Sequence, residues 1–202
     1  IPFTYSQGSG FCSSWPSLLQ RQPWSIWCRK VASESNERGT PAYIIDAARR
    51  VMGGIDLDPA STPEANKIVQ AVTFYTREDD GLIRPWYGRV WLNPPFSMPL
   101  VEQFTGRAIA AYEHGAVKQA IVLVNVSTGR WYHRLLEAYP AVYPKHHSYH
   151  PNARIEFYTL TGNHRGKDNN SRGQAIFYLG PHIDRFFDVF GEFCTIPWRW
   201  CD

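Results

Sequence analysis

Apolar positions along this chain switch repeatedly between short continuous runs and helical spacing, and that alternation sets the expected architecture. Residues 1 to about 38 are rich in Ser, Gly, Gln and Trp without periodicity and read as an irregular arm. Thr40 is placed to cap a helix whose first position is Pro41; Ile44, Ala48 and Val51 mark its buried face and Gly53-Gly54 its end. A strand is expected over 55–57, a short helix opened by Pro63 and running to about Val69, and strands over 72–75 and 89–92. Leu100, Phe104, Ala108 and Ala111 repeat at helical spacing across 98–113, before Gly115. Residues 120–124 are continuously apolar, as in a strand buried on both faces. A helix over 129–139 carries Trp131, Leu135 and Leu136; strands over 154–158 and 174–179 and a helix over 182–190 complete the order. With no internal repeat, this succession predicts one doubly wound α/β sheet with an antiparallel finish. The expected boundaries are an arm at 1–38, a domain at 39–192 and a tail at 193–202.

Composition narrows this only slightly. A chain of 202 residues fits a single domain able to bury a sizeable core. A formal net charge of +3 permits a nucleic-acid partner without arguing for one. The 8 Trp, 11 Tyr and 11 Phe supply rings for stacking or groove lining as well as for the core. No run approaches the roughly 20 apolar residues of a membrane span, and no signal pattern opens the chain, so the expected setting is cytoplasmic, away from any membrane. The first residue is Ile, as in a trimmed or fragmentary chain. Cys12, Cys28, Cys194 and Cys201 lack paired Cys-x-x-Cys knuckles and read as reduced thiols, not as a zinc site.

The chemistry concentrates at Asn93-Pro94-Pro95-Phe96, directly after the apolar run Val90-Trp91-Leu92. Two prolines cannot donate to a ladder, so the strand stops here and the carbonyls of Asn93 and Pro94 turn away from the sheet. A carboxamide, outward carbonyls and an aromatic face suit a planar base held by its exocyclic amino group. Ligands of open α/β sheets bind outside the carboxyl ends of strands, where this tetrapeptide falls. A second strand ends nearby in sequence with Asp56-Leu57-Asp58-Pro59-Ala60-Ser61.

Thr40-Pro41, Asp56-Leu57-Asp58-Pro59, Glu78-Asp79-Asp80-Gly81-Leu82 and Asn93-Pro94-Pro95-Phe96, in that order, resemble the phage-type (Dam-like) DNA N6-adenine methyltransferases. The resemblance covers about residues 38–190. It implies a Rossmann-like fold, S-adenosylmethionine as methyl donor and double-stranded DNA as substrate. One departure is plain: the glycine-rich Phe-x-Gly-x-Gly loop of many methyltransferases is absent, and Asp58-Pro59-Ala60-Ser61 stands in its place. The family tends to carry a similar Asp-Pro element, often with Cys at the position of Ala60. Under this resemblance Asn93, Pro94, Pro95 and Phe96 hold an adenine flipped out of the duplex, with Phe96 as its stacking face. Asp56, Asp58, Pro59 and Ser61 at the strand tip meet the amino-acid and ribose ends of the donor. Thr40 and Pro41, at a helix N-terminus, suit its carboxylate. Asp79 or Asp80 reaches the donor's adenine, or both cap the turn at Gly81.

Two polar segments remain. Residues 162–173 carry Arg165, Lys167 and Arg172 on a glycine-spaced loop that is either a solvated hairpin or a DNA-phosphate contact. Residues 143–150 carry Lys145 and three histidines without a visible carboxylate partner, which fits a DNA groove or plain surface polarity better than a metal. Lys145, Arg154, Arg165, Lys167 and Arg172 are the candidate DNA contacts. Two other readings stay open. One is a methyltransferase acting on RNA or a protein amide through the same tetrapeptide, and the other is a DNA-binding relative that has lost its donor. Neither the recognised DNA site nor the oligomeric state is written in the chain.

Overall fold

The computed structural model describes residues 38–145, 155, 157–159 and 172–197, all within the unit Glu34–Asp202. Arg154, Arg165, Lys167, His146, His147, His150, Cys12, Cys28 and Cys201 lie outside the described residues.

Seven strands form the central sheet, in the order β3 (Thr73–Phe74), β2 (Leu57–Asp58), β4 (Gly88–Leu92), β5 (Val117–Asn125), β8 (Gln174–Leu179), β6 (Ala141–Pro144), β9 (Cys194–Thr195). The first four run parallel; β8 is antiparallel to both β5 and β6, and β9 is antiparallel to β6. A separate two-stranded ribbon pairs β1 (Arg38–Gly39) with β7 (Tyr158–Thr159). The parallel half with an antiparallel finish follows the expected Rossmann-like pattern.

Alternation along the strands divides the core between the two faces of the sheet. Trp91, Ile121, Leu123, Val142, Ile176 and Tyr178 pack beneath α1 (Ala42–Met52), α2 (Pro63–Val69) and α5 (Ile183–Gly191). Their neighbours Val90, Leu92, Val122, Val124, Phe177 and Leu179 pack beneath α3 (Leu100–Glu113) and α4 (Arg130–Ala138). Helix ends follow local chemistry. Thr62 caps α2 by accepting the Ala65 N–H at 3.1 Å, and Pro63 opens that helix. Gly53, at φ 79°, closes α1 through its N–H to the Arg49 carbonyl at 2.7 Å. No described helix is long and apolar enough to cross a membrane.

Three features differ from expectation. β6, a strand that was not expected, lies inside the sheet although Pro140 precedes it and Pro144 ends it; Pro144 sits beyond the residues that pair with β8, where its missing N–H costs no bond to that strand. β9 carries the sheet past residue 192, so 193–195 pair with the domain. Thr40 does not cap α1: Pro41 is the capping residue, no side chain caps the helix, and the Thr40 hydroxyl is engaged elsewhere.

Candidate active site

Strand order reverses between β2 and β4. The chain winds from β2 outward to β3, then returns to β4 and proceeds the other way to β5. A crevice opens at such a reversal, outside the carboxyl ends of the strands. Leu57 pairs with Val90, so Asp58 stands level with Trp91, and the two loops leave the sheet side by side. One is Asp58-Pro59-Ala60-Ser61, the other Asn93-Pro94-Pro95-Phe96.

Asp58 is the buried charge of this crevice, 3% exposed. Its carboxylate accepts the Ala60 N–H at 3.2 Å. Burial pushes the carboxyl up to about 7, against the opposing effect of the Ser61 side chain and the Ala60 N–H. Beyond the strand, Tyr75 N–H bonds to Asp58 O and Ser61 N–H to Tyr75 O, each at 2.9 Å, so the loop stays tied to β3. Pro59 and Ser61 are both buried.

The acidic turn at 79–82 is seated on this loop. A Cβ at Gly81 would lie 1.9 Å from the Pro59 carbonyl oxygen, so only glycine allows the two backbones to approach this closely. The buried Trp86 indole N–H donates to the Gly81 carbonyl at 2.7 Å. Within the turn, Asp79 accepts from the Thr76 N–H at 2.9 Å and the Thr76 hydroxyl at 2.8 Å, which hold its carboxyl below the usual range. Asp80 adopts a left-handed conformation, φ 53°, and its side chain accepts the Leu82 N–H at 3.2 Å. Both acids therefore shape the turn that rests on Pro59.

On the other loop, β4 ends at Leu92, where the prolines begin. Pro94 is buried; Asn93, Pro95 and Phe96 are half-buried. Asn93 Nδ2 donates to Thr40 Oγ1 at 3.2 Å, across 53 positions of sequence. Phe96 packs on the core and meets Phe157 edge-on, with ring centroids 5.9 Å apart and planes at 66°. Thr40 and Asn93, assigned by sequence to donor and acceptor respectively, are thus in direct contact. Pro41 sits beside them, and its carbonyl accepts the Ile44 N–H at 3.1 Å in the first turn of α1.

Asp56 does not join the crevice. Its Oδ1 accepts from Arg89 Nη2 at 2.6 Å, and its Oδ2 from Arg89 Nε at 2.9 Å and the Arg89 N–H at 2.8 Å. The Arg89 guanidinium holds the Asp56 carboxyl below its ordinary value. Asp56 stands at the amino end of β2, level with the first residues of β4, where the pair clamps the two strands. Gly54 and Gly88, both at positive φ, leave room for this clamp.

Of the candidate DNA contacts, Lys145 and Arg172 are described. β6 is parallel to β5 and β8 antiparallel, so the carboxyl end of β6 and the amino end of β8 face the crevice side of the sheet. Lys145 and Arg172 follow and precede those ends, and both are exposed. Lys145 Nζ donates to the Gly191 carbonyl at 2.5 Å, at the C-terminus of α5.

Arg89, Trp86 and Phe157 were not among the candidate site residues read from the sequence. Arg89 carried a detectable signal, a cation opening one buried strand beside an acid opening its neighbour. Phe157 carried none, because its partner is remote in sequence. No curated protein matches the chain. A model of the DNA N-6-adenine-methyltransferase (Dam) family matches residues 30–189, well over half of the sequence, so the protein belongs to that family and is a DNA adenine-N6 methyltransferase.

Proposed function

We propose that the enzyme transfers a methyl group from S-adenosylmethionine to N6 of an adenine flipped out of duplex DNA. The observation that carries this reading is the pairing of two loops at the strand-order reversal. A buried carboxylate lies on one, and the Asn-Pro-Pro-Phe tetrapeptide on the other.

The crevice fits such a donor by its chemistry. Asp58 is a buried carboxylate, Ser61 is a buried hydroxyl, and the turn at Asp79-Asp80 is fixed against Pro59. Asp58, Pro59, Ser61 and the Asp79-Asp80 turn would hold the nucleoside and amino groups. The backbone at the start of α1, opened by Pro41, would face the carboxylate. Asp56 is assigned to the scaffold. When bound, S-adenosylmethionine supplies a methyl group activated by its sulfonium.

Adenine N6 is a weak nucleophile because its lone pair is delocalised into the ring. Asn has no basic form at neutral pH, so the contribution of Asn93 is placement and charge stabilisation. Its amide oxygen and the Pro94 carbonyl accept the two N6 hydrogens and favour a more tetrahedral nitrogen. Pro95 keeps that backbone rigid, and Phe96 offers a face to the flipped base. Lys145, Arg154, Arg165, Lys167 and Arg172 contact phosphates and position the duplex. Incubation with labelled S-adenosylmethionine and unmethylated DNA, followed by nucleoside analysis, tests the reading. Label in N6-methyladenine is expected; label confined to RNA or protein would overturn it.

A further inference from the structure

Two residues outside the tetrapeptide hold its two ends, and one ribbon carries both. Thr40 follows β1 directly and is 5% exposed, so its bond to Asn93 Nδ2 is shielded from water. Phe157 precedes β7 directly, is also 5% exposed, and lays its ring against Phe96. The ribbon pairs Arg38 with Thr159 and Gly39 with Tyr158. Extending this antiparallel register by one residue sets Thr40 opposite Phe157.

A carboxamide is nearly symmetric in shape and opposite in chemistry at its two ends. Turned by half a rotation, Asn93 would offer NH2 to the adenine amino group, donor against donor. Nδ2 faces Thr40 Oγ1 and Oδ1 faces the other way; the hydroxyl, able to accept or to donate, holds the plane of the amide in this position. We propose that Thr40 and Phe157 form one positioning unit for the acceptor-base loop. Thr40 sets the rotation of the Asn93 amide, and Phe157 sets the plane of Phe96. Both are positioning residues, acting through Asn93 and Phe96. This rests on the reading that Asn93 holds the target base. It also moves Thr40 from donor binding to acceptor alignment.

The test compares Thr40→Val, which keeps shape and removes the hydroxyl, with Thr40→Ser, which restores it. Loss of one neutral hydrogen bond predicts a fall in kcat of about tenfold for Thr40→Val. KM for the donor should stay within about twofold, and Ser should recover most of kcat. The side-chain NH2 protons of Asn93 should exchange faster with solvent in Thr40→Val. Added to Asn93→Ala, Thr40→Val should cost nothing further, because residues acting in series do not add. Phe157→Leu, which keeps apolar bulk and loses the ring, should likewise lower kcat and spare donor KM. Should Thr40→Val fail to fold, Thr40→Ala against Thr40→Ser gives the same comparison. A raised donor KM with kcat preserved would overturn the proposal and make Thr40 a donor ligand. Wild-type kcat in Thr40→Val beside an inactive Asn93→Ala would overturn it while leaving the base pocket intact. An active Asn93→Ala would overturn both.

Discussion

Replacing Gly81 by alanine puts a methyl group 1.9 Å from the Pro59 carbonyl oxygen and 3.0 Å from its carbonyl carbon. Neither atom belongs to a flexible side chain, so one backbone must move away from the other. Relief by movement of the turn breaks the 2.7 Å bond from the buried Trp86 indole to the Gly81 carbonyl. Overpacking of this kind costs about 1–3 kcal/mol, and an unsatisfied buried donor a similar amount. Partial relaxation should leave a net loss of about 3 kcal/mol, or about 6–12 °C in melting temperature for a domain of this size. The displaced turn carries Asp79 and Asp80 off the Asp58-Pro59 tip, so affinity for the proposed donor should fall at least about tenfold, or 1.4 kcal/mol. Thermal melts and calorimetric titration with S-adenosylmethionine read the two effects, and Trp86 emission should shift to the red as the indole is exposed. Gly106→Ala is the matched control. A Cβ there meets nothing within 4 Å, in the middle of α3, so alanine should stabilise by about 0.5–1 kcal/mol. An unchanged melt and unchanged donor affinity in Gly81→Ala would refute the contact between the acidic turn and the strand tip.

Asp58, its carboxyl raised to about 7, adds stability that is complete below the unfolded carboxylate value of about 3.9 and lost as pH rises through about 7. Asp58→Asn should flatten that decline in thermal melts. If the ionised form meets the donor, affinity should rise about tenfold between about pH 6 and about pH 8 in wild type, and not at all in Asp58→Asn. Asp56→Asn should destabilise the fold by about 1.5–3 kcal/mol, the worth of hydrogen bonds to a charged group, and leave donor affinity unchanged. Its carboxyl is held low by Arg89, so this contribution is present above about pH 3.9 and lost as pH falls further; a loss of donor affinity at full stability would return Asp56 to the crevice.

Where local chemistry decides an element, the chain can be read directly. The helix opened by Pro63 ends at Val69 as expected, and the apolar run at 120–124 lies within the longest of the described strands. The stop after Leu92 follows from two residues that lack N–H groups. Reading failed where pairing across distance overrides local signals. No strand was expected over 141–144, which is short and ends in Pro144, and pairing with β8 and β9 completes it from either side. A two-residue ribbon such as β1 with β7 has no period to detect. Side-chain choice was harder still. Asp56 and Asp58 are indistinguishable as acids flanking a short strand, but Asp56 lies at its amino end against Arg89 and Asp58 at its carboxyl end, on the crevice side. Thr40 looked like a cap because it precedes a helix, and only the folded chain brings Asn93 to its hydroxyl.

The central claim is that Asn93 holds the acceptor base while the Asp58 loop holds the donor. Single-turnover methyl transfer to duplex DNA by wild type and Asn93→Ala, with donor affinity measured on the same preparations, tests it most directly. Loss of one positioned transition-state contact predicts a rate about 100- to 1000-fold lower, or about 2.7–4 kcal/mol, at unchanged donor affinity. Wild-type turnover in Asn93→Ala, or a rate loss explained entirely by weakened donor binding, would contradict it.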